Sequence, residues 1–183
     1  MGVPFTFSDT TVNVQTSEFH LLIQPEKCQF TPFPGVENGQ ALISDRVGKL
    51  VRELPHTPYQ AIGMNFVWVV TPEKLPLPDF TRRLFFSQEQ AIDKHFDLPD
   101  AKFGGYFSKD SLGCRLKLNV RPLQFQFVES KAFAEGLEFQ FNYYRDIGEE
   151  KDAPDIIVKQ FEQWDEAFSE AKGIVASAIA GVE

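Results

Sequence analysis

The sequence predicts an α+β fold: a twisted antiparallel sheet of about six or seven strands with helices packed on one face, including a long C-terminal amphipathic helix. Three observations predict it. Apolar residues alternate with polar ones in short runs near the N-terminus and again beyond residue 100. The run Tyr59 to Val70 places Ile62, Met64, Phe66, Trp68 and Val70 on one side and smaller or mixed residues on the other, the pattern of a central strand. Finally Ile157, Phe161, Trp164, Phe168, Ala171, Val175 and Ala178 step alternately by four and three, which makes a heptad-like seam.

The elements follow in chain order. Val12 and Val14, then Phe19, Leu21 and Ile23, then Cys28 and Phe30 mark three short strands joined by Thr16-Ser17-Glu18 and Gln24-Pro25-Glu26-Lys27. Two prolines and a glycine in Thr31 to Gly35 end this meander. Leu42, Ile43, Val47, Leu50, Val51 and Leu54 have helical spacing, and Pro55 stops that helix. Prolines 72, 76 and 78 stiffen the link to Asp79, read as an N-cap. Phe80 to Phe96 fits one kinked helix or two, since Ser87 and Gln90 form a capping-box pair.

Next, two strands flank the turn-rich loop Ser108 to Gly113. In the second arm Leu116, Leu118 and Val120 face one way, and Arg115, Lys117, Asn119 and Arg121 the other. The apolar parity changes after Arg121-Pro122 to Leu123, Phe125 and Phe127, which predicts a bulge or bend. A return strand carries Leu137, Phe139, Phe141 and Tyr143 inward. The final helix, about 25 residues or 38 Å long, is expected to cover the sheet through Phe161, Trp164 and Phe168. The expected core also includes Val14, Leu21, Ile23, Leu50, Ile62, Met64, Phe66, Trp68, Leu116, Leu118, Phe125, Phe139 and Phe141.

With 183 residues, 43% of them hydrophobic and 24% charged, a single globular domain over 1–183 with a sizeable core is expected. A net charge of -8 sets a repulsive field against polyanions, so neither nucleic acid nor an anionic membrane is expected as partner. The longest apolar run, Ala61 to Val70, is about half the length of a membrane-spanning helix. The first six residues carry neither the basic nor the apolar region of a secretory signal, and a cytoplasmic location is expected. Two cysteines, Cys28 and Cys114, make no disulfide framework and read as buried thiols.

No catalytic signature is present. His20, His56 and His95 stand apart with no second metal ligand at zinc spacing, and no cofactor is implied. Ser111 and Cys114 lack a recognisable base. Glu162, Asp165, Glu166 and Glu170 read as the wet face of the last helix.

The candidate ligand-binding residues form a polar strand face. Arg115, Lys117 and Arg121 can pair with Glu138 and Gln140 if their strands are neighbours, and Asn65, Asn119 and Asn142 are asparagines in mid-strand, where that residue is depleted. Such a floor suits an anionic or peptide ligand. Tyr106 joins them from the aromatic glycine segment Phe103-Gly104-Gly105-Tyr106-Phe107. The leading expectation is a non-catalytic protein- or peptide-binding module, self-association through the C-terminal helix included. The alternative is a small-molecule binder or enzyme with a pocket between the curved sheet and the helices, mouthed by the glycine segment.

Overall fold

In the computed structural model, which describes residues 5–33, 35–36, 39–86, 92–127, 131–148, 150 and 152–182, the chain is α+β with four helices and two antiparallel sheets of four strands each. It divides into two compact units, Met1–Tyr59 with Glu149–Asp165 and Gln60–Gly148 with Glu166–Glu183. The expected single sheet of six or seven strands is therefore corrected to two sheets. Alternation tells which face of a strand is apolar but not which edges pair, and among the described residues the N-terminal meander pairs only with itself.

In the first unit β1 (Phe5–Phe7), β2 (Val12–Gln15), β3 (Phe19–Gln24) and β4 (Lys27–Pro32) pair in sequence order. The register aligns Phe5, Val14, Leu21 and Phe30 in one row and Phe7, Val12, Ile23 and Cys28 in the next, so one face of this sheet is apolar throughout. None of its strand positions is fully buried: Val14, Leu21 and Ile23 are half-buried, and Phe5 and Phe7 are 73% exposed. The buried core of this unit comes instead from α1 (Gly39–Glu53) and α3 (Ala153–Glu162), through Ile43, Val47 and Val51 on one and Ile157, Val158 and Phe161 on the other. Their axes come close at Gly48, where an added Cβ would lie 3.7 Å from Val158 Cγ2. Cys28, near the β3–β4 hairpin turn on an edge strand, is exposed, contrary to the expected buried thiol, whereas Cys114 is buried.

The second unit is built on the strand order β5-β8-β7-β6, from β5 (Ala61–Val70), β6 (Gly105–Ser111), β7 (Cys114–Gln126) and β8 (Phe133–Asp146). Ile62, Met64 and Phe66 of β5, Leu116, Leu118 and Val120 of β7, and Phe139, Phe141 and Tyr143 of β8 are buried on a common face, as their alternation requires. Helix α2 (Leu77–Phe85) starts at Leu77 after Pro76, with Asp79 in its first turn rather than capping it. The capping-box pair Ser87 and Gln90 lies outside the described residues, and Asp93–His95 forms one 3-10 turn. Helix α4 runs Trp164–Ala180. Its Phe168 packs on Phe66 and Trp68, with ring centroids 5.7 and 5.4 Å apart, yet stays 42% exposed.

Two further expectations change. The C-terminal seam is not one helix: α3 and α4 meet at a turn at Gln163, so Phe161 serves the first unit and Phe168 the second. No proline or glycine marks that break. The predicted bulge at Arg121-Pro122 is also absent, since β7 and β8 keep a continuous register from Arg115 to Gln126. The apolar parity change is real but is met by packing on the other face. There an added Cβ on Gly136 would lie 3.2 Å from the Phe125 ring and 3.1 Å from Val69 Cγ1, so that glycine makes room for both.

Candidate ligand pocket

The polar face predicted from sequence assembles as one grid. Asn65, Asn142 and Lys117 share one cross-strand row, Asn119 and Tyr106 the next, with Arg121 beyond and Arg115 before. All seven residues therefore stand on the face of the second sheet opposite its core. Several of their polar groups are paired, with one another or with neighbours: Asn142 Nδ2 donates to Asn65 Oδ1 at 2.9 Å, and Arg121 Nε to Glu138 Oε2 at 2.6 Å. Arg115 donates to Asp110, and the Lys117 ammonium sits 4.6 Å above the Tyr144 ring. Exposed pairs of this kind contribute about 0.2 to 1 kcal/mol each. Asn142 Oδ1 is the exception, a buried oxygen with no hydrogen-bond partner among the described residues, and the rest of the arrangement is an outer surface of paired polar groups.

On the core face lies a cavity of about 370 Å³. Its floor is Leu116, Leu118 and Val120 of β7 with Phe139 of β8, and its sides are Leu84 and Phe85 of α2, Phe107 and Lys109 of β6, and Ile174 and Ala178 of α4. The β6–β7 hairpin sets this geometry. Its connection is a two-residue turn at Leu112 and Gly113, both at positive φ (53° and 67°), instead of the longer loop expected over Ser108 to Gly113. Register then puts Phe107 opposite Leu118 and Lys109 opposite Leu116, on the apolar face.

The glycine segment has a structural cause. An added Cβ at Gly104 would come within 2.4 Å of the Val120 carbonyl oxygen, so the backbone of β7 occupies that space. At Gly105 it would meet the rings of Phe107 and Phe85, which stack with centroids 6.3 Å apart at 15°. Phe107 thus borders the cavity, while Tyr106 points to the outer face beside Asn119.

At the Lys109 end stands a polar cluster that the sequence reading missed. Glu170 Oε1 accepts from Lys109 Nζ at 2.6 Å, and Oε2 accepts from Ser111 Oγ at 2.8 Å and Tyr143 OH at 2.9 Å. The Tyr143 hydroxyl also lies 3.1 Å from the Ala167 carbonyl, to which it donates as an alternative. Burial alone would raise the Glu170 carboxyl, but the hydrogen bonds from Lys109, Ser111 and Tyr143 with the Lys109 charge outweigh it and hold the group below the ordinary carboxylate range. Burial, then the hydrogen bond to Glu170 and its charge, push the Tyr143 hydroxyl upward. Cys114 is likewise raised by burial, partly offset by Arg145.

Glu170 was expected on the wet helix face. It lies instead among Ala167, Ala171, Ile174 and Ala178, at the three-and-four spacing of the helix face turned to the sheet, and that spacing was the available signal. Among the described residues no group of three or more His, Cys, Asp or Glu is placed to hold a metal ion. No described helix is long and apolar enough to cross a membrane.

No family model matches this chain, and neither a curated protein nor a solved structure shows significant similarity to it.

Proposed function

We propose that the second unit binds a small, mainly apolar molecule in the cavity between its sheet and the helices α2 and α4. The observation that carries this reading is the cavity itself: about 370 Å³, within the range of small-molecule sites, walled by apolar side chains with Ser108 and Lys109 of β6 as its polar lining. Binding without chemistry is favoured by the direction of the titrations. Glu170 is held ionised and Tyr143 protonated, each displaced away from neutrality, whereas proton transfer near pH 7 needs groups tuned toward it.

Naphthalene, rigid and wholly apolar, tests the reading. At tenfold excess over its dissociation constant it is expected to add about 1.4 kcal/mol of stability, roughly 3 to 6 °C in Tm for a chain of this size. Ala178→Phe, which fills the cavity from α4, is expected to abolish that shift while keeping the far-UV circular dichroism of the parent. An unchanged shift in this folded variant contradicts the assignment.

A second reading, docking of a protein or peptide on the outer face, draws on Val67 and Val69, 57% and 47% exposed beside the polar grid of Asn65, Asn142, Lys117 and Asn119. Self-association through α4 belongs to the same class. Val67→Lys with Val69→Lys would abolish such docking and leave naphthalene binding intact.

A further inference from the structure

We propose that the ligand of this pocket is a neutral, elongated molecule with an apolar body and a hydrogen-bond-accepting oxygen at one end, received by Lys109; the proposal rests on the pocket reading above. The shape comes first. From Leu116 to Val120 the floor strand advances about 13 Å at ~3.3 Å per residue, and from Ile174 to Ala178 the lining stretch of the covering helix advances about 6 Å at ~1.5 Å per residue. The floor is therefore long enough for an extended chain, and a volume of about 370 Å³ lies in the range of small-molecule sites.

The two ends differ. Val120 and Phe85 line one end, where Gly105 pairs with Val120 and lies beside the Phe85 ring, while Lys109, opposite Leu116, marks the other. An ammonium has three N–H donors, and Glu170 takes one; the Lys109 side chain is 57% exposed at the cavity border, so the other two are met by water that a ligand oxygen can replace. Glu170 is already occupied by three donors, so the hydrogen-bonding capacity left for a ligand is predominantly that of a donor, and the complementary head is an acceptor.

Charge then selects among acceptors. Lys109 and Glu170 neutralise each other at 2.6 Å, in a protein of net charge -8. A carboxylate head on Lys109 would stand beside the Glu170 carboxylate, and an ammonium head would face Lys109. A ketone, ester or ether oxygen meets neither repulsion. An inward lysine on an edge strand also discourages edge-to-edge pairing, a role that involves no ligand. The experiment separates the two roles.

2-Decanone, decanoate and decylammonium are titrated into the full chain at pH 7, followed by the Ile174 methyl resonance, with naphthalene as the headless control. The ketone is expected to bind at least tenfold more tightly than either ion. Lys109→Met is expected to weaken the ketone about tenfold and leave naphthalene within twofold, and Lys109→Arg to restore the ketone. An ion binding as tightly as the ketone, or unchanged ketone affinity in the folded Lys109→Met protein, overturns the head-group assignment while naphthalene binding upholds the pocket. Failure of naphthalene and all three decyl compounds to bind the parent protein overturns both.

Discussion

Replacing Phe141 by alanine is expected to destabilise the protein by about 3 to 5 kcal/mol, the usual cost of truncating a fully buried phenylalanine, and to lower Tm by roughly 6 to 20 °C. The residue is 1% exposed in the middle of β8, between Phe66 on β5 and Leu118 on β7. Its ring meets the Trp68 indole edge to face at 5.4 Å. The neighbours are fixed by ladder hydrogen bonds on both sides, so the vacated volume cannot collapse. Leu21→Ala in the first sheet removes a half-buried side chain and is expected to cost markedly less. Calorimetry of the two variants checks the contrast.

The second large effect concerns Glu170. Glu170→Gln keeps one oxygen acceptor but removes the charge that Lys109, Ser111 and Tyr143 address, and is expected to cost about 2 kcal/mol at pH 7, roughly 4 to 8 °C in Tm. The pH dependence has a definite sign. The folded carboxyl titrates below its unfolded counterpart, near pH 4.3, so its contribution is present above that value and is lost as pH falls through the lower folded pKa. Parent and variant melting curves should therefore converge below about pH 4. Tyr143 acts at the other limit: its raised pKa means that stability is lost as pH rises above about 10, where the unfolded phenol begins to ionise. A constant gap between parent and Glu170→Gln across the acid range would contradict the described cluster.

Local pattern carried much of this fold. The alternation of Ile62, Met64 and Phe66, and of Leu116, Leu118 and Val120, gives the buried face of the second sheet, and the polar residues between them give its outer grid. What failed was information that is not local. Sheet membership depends on which edges meet, and the meander ending at Pro32 does not join β5. The seam from Ile157 to Ala178 is unbroken in spacing, yet the helix breaks at Gln163. One turn length had the widest consequence. A long loop from Ser108 to Gly113 leaves Lys109 unplaced, whereas the two-residue Leu112-Gly113 turn sets it opposite Leu116 at the cavity. The spacing of Glu170 with Ala167, Ala171 and Ile174 sets it apart from the solvated acids Glu162, Asp165 and Glu166, but with Lys109 unplaced nothing supplied its partner.

If the space between the second sheet and α4 is a binding cavity, naphthalene titrated into the methyl-labelled protein perturbs the residues that line it. Resonances of Leu84, Leu116, Leu118, Val120 and Ile174 should shift on titration, while those of Ile43, Val47 and Ile157 in the first unit remain in place. Shifts confined to Val67 and Val69 on the outer face, or spread evenly over both units, would contradict it.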